Sequence, residues 1–240
     1  MKSSTEPYNE KKFNAGNSIF PGFNDKNGII ICGYEYGYSK NDQLLEKTAK
    51  DFVEEELSKI NTFYQKSKIF NSPYDLKIIK WFRFFGNPLG VSEGNSDFDK
   101  CILQTNWCDT QDTNVKEYEK FLLDENISNF VSHMIEFSPS VLIFMGSKQI
   151  DYLQNEKVKK PIEDFFGKEI SPLRKEIKEF KEFKGRKFKI GFQQFERLKI
   201  VSFPHPSGSR GLTDEYIKLF STPINEILSD YKLSKLQTKN

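Results

Sequence analysis

Residues 28–37 read GIIICGYEYG. Three isoleucines and a cysteine run together without polar alternation and are closed by glycine. That pattern describes a short strand buried on both faces, rather than a half-exposed strand or a helix. Three more segments have the same character: Lys100–Asn106 (KCILQTN), Ser140–Met145 (SVLIFM) followed by Gly146, and Leu198–Phe203 (LKIVSF) before Pro204. Segments of helical period separate them. Asn41 or Asp42 is placed to cap a helix over Gln43–Lys66, in which Leu44, Leu45, Ala49, Phe52, Val53, Leu57 and Ile60 recur at helical spacing. Buried strands alternating with helices predict an α/β fold, a parallel sheet covered on both faces.

The other segments fill in that plan. Asp75–Phe85 reads as a helix stopped by the Gly86-Asn87-Pro88 turn, and Tyr118–Phe137 as an amphipathic stretch interrupted near Asp124–Asn126. Residues 156–184 read as helical in two pieces divided by Gly167 and Pro172. Phe188–Phe195 alternates like an edge strand, and Thr213–Tyr231 starts on a Thr cap and closes the chain as a helix. Residues 1–27 hold no period and read as an irregular arm. Residues 28–240 form a single domain, with no repeat and no linker that divides them.

Composition narrows the function classes. In 240 residues, 29% are charged and 37% apolar, with 23 Phe and 10 Tyr. That is too aromatic for a disordered chain and too polar for a membrane-embedded one. The first twelve residues carry no apolar signal core, which predicts a cytoplasmic location. Cys32, Cys101 and Cys108 form no Cys-x-x-Cys pair, so alone they build neither a disulfide framework nor a four-thiolate cluster. The expectation is a reduced, monomeric chain needing no metal or cofactor. The net charge is only +2, yet residues 155–200 carry 14 basic against 8 acidic side chains. That excess is either a nucleic-acid face or the mark of a lysine-rich composition.

In a parallel sheet the ligand site lies beyond the carboxyl ends of the strands. Here those loops are 33–39, 106–111, 146–148 and 204–211. The first places Glu35 between Gly33 and Gly37, a carboxylate able to act as base or as counter-charge to a cation. The second opens on Thr105-Asn106-Trp107, where the amide of Asn106 offers one acceptor and two donor protons to a base edge. The last is Pro204-His205-Pro206-Ser207-Gly208-Ser209-Arg210. Two prolines hold His205 in extended backbone, and Ser207, Ser209 and Arg210 suit phosphates. The only other histidine, His133, lies on a helical segment beside Met134 and Ile135 and reads as structural.

Strand–Gly-x-Glu-x-Gly, strand–Thr-Asn, strand–Gly and strand–His-Pro-Ser, in that order over residues 28–220, resemble the uracil-DNA glycosylase superfamily. The resemblance implies a three-layer α/β/α sandwich about a four-stranded parallel sheet. It also implies hydrolysis of the N-glycosidic bond of a base flipped out of DNA. On the matching motifs, Glu35 takes the acid slot and His205 the slot of the donor to the leaving base, both catalytic. Asn106 takes the base-reading slot, while Tyr36 and Gly37 complete the first motif. The segment that wedges into the duplex falls on Gly208–Arg210, so Ser207, Ser209 and Arg210 are the DNA-binding candidates. Two departures matter. The Pro slot holds Tyr36, and the slot that carries a tyrosine wall in the strictest uracil branch holds Gly37. A pocket without that wall is expected to admit C5-substituted pyrimidines, modified cytosines of phage DNA included. The stacking aromatic is sought in Trp81–Phe85, most of which read as core, and the iron–sulfur branches are disfavoured by the cysteine count.

Two other readings stand beside this one. The same fold without catalysis, binding nucleic acid or protein through residues 155–200, is favoured by the Tyr36 departure. A nucleotide-binding enzyme on a Rossmann-like sheet lacks its GxGxxG or Walker loop.

Overall fold

The computed structural model describes residues 28–37, 63–64, 73–89, 102–108, 111–112, 118–179 and 184–237. The expected arm at 1–27 and nearly all of the expected helix over Gln43–Lys66 lie outside the described residues.

The strands are β1 (Ile29–Gly33), β2 (Tyr36–Gly37), β3 (Phe63–Tyr64), β4 (Leu103–Asn106), β5 (Gln111–Asp112), β6 (Val141–Phe144), β7 (Glu169–Glu176), β8 (Ile190–Phe195) and β9 (Leu198–Ser202). The helices are α1 (Pro73–Phe84), α2 (Asp124–Phe137), α3 (Gln149–Tyr152), α4 (Glu156–Phe166), α5 (Asp214–Lys218) and α6 (Ser221–Gln237). A 3₁₀ turn at Tyr118–Leu122 precedes α2. The fold is mixed α/β.

The sheet is wider than the four strands expected. Seven strands run in the order β3-β4-β1-β6-β9-β8-β7. The four strands read from apolar runs are its parallel stretch, β4-β1-β6-β9. β3, β8 and β7 add to it antiparallel, and β2 pairs with β5 in a separate two-stranded ribbon.

Successive strand side chains point to opposite faces, and here both faces are covered. Ile29, Ile31, Val141, Ile143 and Val201 join one core with α1, α5 and α6. Ile30, Cys32, Leu142, Phe144 and Ile200 join the other with α2 and α4. That double burial is why β1 and β6 contain no polar residue.

Three sequence expectations are corrected. The second piece of 156–184 is a strand, because Glu169–Glu176 is β7. Its Ile170, Leu173 and Ile177 are spaced three and four apart like a helix stripe, but Ile170 and Ile177 are exposed. Pro172 sits there because β7 is the sheet's outer strand, where a missing N–H is tolerated. Phe63–Tyr64, inside the expected first long helix, is β3. The C-terminal segment is two helices rather than one, with Thr213 capping the first through a bond from Tyr216 N.

His133 is structural, as read. It is buried on α2, with Nδ1 2.9 Å from Thr105 Oγ1 on β4. Burial pushes its pKa down to about 3, whereas in the unfolded chain it titrates near 6.5. Between those values the unfolded state takes up a proton that the folded state refuses. Stability is therefore expected to fall by about 1.4 kcal/mol per pH unit from this group as pH drops below about 6.5. Urea unfolding at stepped pH from 7 to 4 measures this, and His133→Gln is expected to flatten the slope by one proton.

Candidate functional site

The chain passes from β1 outward to β4, then returns across β1 to β6. The order of strands reverses there, so the carboxyl ends of β1 and β6 flank the crevice where parallel sheets receive ligands. The loops after β4 and β9 leave the same edge on either side.

The first two loops are joined to each other. Beyond the β1–β4 ladder, Trp107 N donates to Gly33 O at 3.0 Å and Cys108 N to Tyr34 O at 2.9 Å. The amide of Asn106 lies so close over Gly33 that a Cβ there would meet its Oδ1 and push the amide aside. Asn129 on α2 holds this corner, its Nδ2 donating to the carbonyls of Asn106 (3.3 Å) and Trp107 (3.0 Å). Trp107 itself is core, stacked on Phe130 with ring centroids 4.0 Å apart.

Glu35 is not the solvated loop carboxylate its glycine neighbours suggest. Its side chain is 3% exposed and forms an ion pair with Lys120 of the 3₁₀ turn. The neighbouring Tyr34 lies across Gly146, where again a Cβ would strike the ring, and its Oη accepts from Lys148 N at 3.2 Å. Burial pushes the Tyr34 phenol up to about 12, so it remains protonated. Gln149, fully buried, donates from Nε2 to Gly33 O at 2.7 Å and ties the loop after β6 to β1. Burial, then the nearby Cys108, raises the Cys32 thiol well above its usual range, so it is no thiolate nucleophile.

His205 stands on the other side of the crevice, at the end of β9. β1 and β9 are two strand spacings apart, roughly 10 Å. Glu35 follows β1 and His205 follows β9, with the loop after β6 between them. His205 Nδ1 accepts from Gly208 N at 2.9 Å, which leaves the proton of the neutral ring on Nε2. Burial lowers the pKa of His205 below its ordinary value, which favours that neutral form. Helix α1 braces the loop. Lys77 Nζ donates to Pro206 O at 2.8 Å, and the ring of Tyr74 lies 5.5 Å from that of His205. Farther along, Trp81 Nε1 donates to Asp214 at 2.9 Å. Ser207 and Arg210 are exposed on the loop's outer turn and Ser209 is half-buried.

Of the residues singled out from sequence, Gly33, Glu35 and Asn106 come together in one corner. His205, Ser207, Ser209 and Arg210 form the facing loop. Tyr36 and Gly37 are placed by their backbone in the ribbon with β5; the Tyr36 side chain lies outside the described residues. Within the aromatic cluster, Trp81, Phe82 and Phe85 are at most 1% exposed and belong to the core, as expected for most of the run. Tyr74, two turns before Trp81, is the aromatic whose ring lies beside His205. Burial, and then the charges of Asp75 and Cys32, push its phenol well up. Lys120, Gln149 and Tyr74 were not found from sequence. Lys120 lies 85 residues from Glu35, and no local pattern announces the pairing. Among the described residues no group of His, Cys, Asp and Glu is arranged to hold a metal ion, and no helix is long and apolar enough to cross a membrane.

No protein-family model and no curated protein matches the chain.

Removing one partner of a pair this buried leaves the other charge uncompensated. Lys120→Met is expected to cost about 3 kcal/mol of folding stability, and Lys120→Met with Glu35→Gln to recover most of it. Chemical denaturation of both variants and of Glu35→Gln closes the cycle.

Proposed function

We propose that this protein is a DNA glycosylase with the architecture and motif order of the uracil-DNA glycosylase superfamily. In this reading a flipped pyrimidine nucleotide enters between the loops after β1 and β9. The observation that carries it is the state of His205. A neutral imidazole holds its acceptor nitrogen against Gly208 N–H and keeps Nε2–H as a donor, on the side of the crevice opposite a buried carboxylate.

Such an arrangement suits glycosidic cleavage. As the C–N bond lengthens, the electron pair moves onto the base and the sugar becomes cationic. Nε2–H of His205 stabilises the charge on the departing base, and Glu35 opposes the cation and orients the water that adds to the sugar. The Glu35–Lys120 pair holds the carboxylate in place. The Asn106 amide, pinned above Gly33, reads the base edge, and the Tyr74 ring beside His205 is the stacking surface. Flipping costs a few kcal/mol, offset by contacts of Ser207, Ser209 and Arg210 to phosphate. Gly37 has no side chain to exclude a C5 substituent, and its φ is not positive, so larger residues fit its backbone. A catalytically silent DNA-binding domain is the second reading. It is favoured by the same Glu35–Lys120 pair, which occupies one of the two carboxylate oxygens.

Abasic-site formation on oligonucleotides carrying uracil, thymine, 5-hydroxymethyluracil or modified cytosines distinguishes the two. His205→Ala and Glu35→Gln are each expected to slow single-turnover release at least about a hundredfold. Protonation at Nδ1 would break the Gly208 N–H bond that orients the ring, and burial disfavours that protonation. The rate should therefore hold through pH 6.5 and fall only in more acid solution. No release from any of these bases would leave the silent domain as the reading.

Base choice gives a separate test. Gly37→Tyr is expected to retain uracil release while losing at least about tenfold on C5-substituted bases, the scale of a steric exclusion. Asn106→Asp is expected to alter which base is accepted. Relative rates on mixed substrates measure both.

A further inference from the structure

A cleft of about 290 Å³ opens beside the His205 loop, between the loop after β6 and the irregular segment leading into β8. Lys148, Lys175, Arg186, Lys187 and Lys189 line it, with Asp151 as its one acidic residue. Lys175 pairs with Asp151, and Lys187 with Glu179 from outside the cleft. No acidic partner appears among the described residues for Lys148, Arg186 or Lys189. The cleft is continuous with the candidate site at two points. Pro204, which precedes His205, is part of its wall, and Arg186 donates to the carbonyl of Arg210 at 3.3 Å. Lys148, through its backbone N–H, holds Tyr34.

Its lining is wrong for a small apolar ligand, whose pockets are mostly hydrophobic. The aromatic residue present, Phe188, has the Arg186 guanidinium 5.2 Å from its ring centroid and its carbonyl fixed by Tyr216 Oη at 2.6 Å. Facing cations in a concavity, with an arginine plane over an aromatic ring, suit a nucleic-acid strand whose phosphates run between the walls while a base stacks. A duplex presents its phosphates on a convex surface and meets a broad contact face instead.

We propose that this cleft binds the single-stranded DNA flanking the flipped nucleotide, so that the protein takes its substrate as single strand. The inference rests on the DNA reading above and specifies the form of its substrate. Arg186 and Lys189 are exposed, and neither belongs to the proposed catalytic or base-reading groups. The probe is a ten-nucleotide oligo-dT, with no base to be released, compared with a blunt duplex of equal length and with inorganic tripolyphosphate. Binding is followed by fluorescence anisotropy across salt. Arg186→Gln with Lys189→Gln is expected to weaken oligo-dT binding at least about tenfold at low salt. The slope of log affinity against log salt should become shallower by about 1.4, two phosphate contacts on a single strand. Duplex binding is expected to be weaker and little changed. Equal loss on duplex and single strand, no loss on either, or tripolyphosphate competing as well as the oligonucleotide would overturn the proposal. If no base is ever released yet the oligo-dT results hold, the glycosylase reading fails and the strand cleft stands.

Discussion

Burial of the parallel strands on both faces is the constraint from which the rest follows. A strand covered on both faces by helices has no position for a solvated side chain, so β1 and β6 are apolar throughout. Polar chemistry is thereby displaced to the strand ends. The reversal of strand order beside β1 makes the carboxyl edge the one place where loops from several strands meet without being covered. Glu35, Asn106 and His205 each follow a different strand and still share that edge.

Each side of the edge is held by its own core. The Gly33–Glu35–Asn106 corner is fastened to the 3₁₀ turn and α2 by Lys120 and Asn129. The His205 loop is held against α1 by Lys77 and Tyr74, and α1 is tied to α5 by the Trp81–Asp214 bond. The Gln149 bond to Gly33 anchors the loop between them.

Much of this was legible because it is local. The runs IIIC, VLIF and LKIVS are strands in one segment each, and His205 stands between two prolines in the same short stretch. The misreadings have equally specific causes. Ile170, Leu173 and Ile177 imitate helical spacing, but only contact with β8 decides their state, and that partner is about twenty residues away. The aromatic run at 81–85 reads mostly as core, but composition does not say which aromatic of the helix faces the site. Packing of α1 buries Trp81, Phe82 and Phe85 and leaves Tyr74 toward the site. Lys120 and Glu35 meet only in the folded chain. Pairings made across the core leave no periodic trace in either segment.

The outer strand has a consequence for how molecules meet one another. An exposed sheet edge is a row of unpaired backbone donors and acceptors that a second chain can extend. On β7 that row is interrupted. Pro172 supplies no N–H, and the pairing to β8 shifts register on both sides of Ser171. Arg174 and Lys175 add like charge that would repel an identical neighbour. Two chains brought edge to edge would therefore find neither a continuous ladder nor a neutral one. The outer edge of a seven-stranded sheet is thereby a poor template for a second copy of the chain.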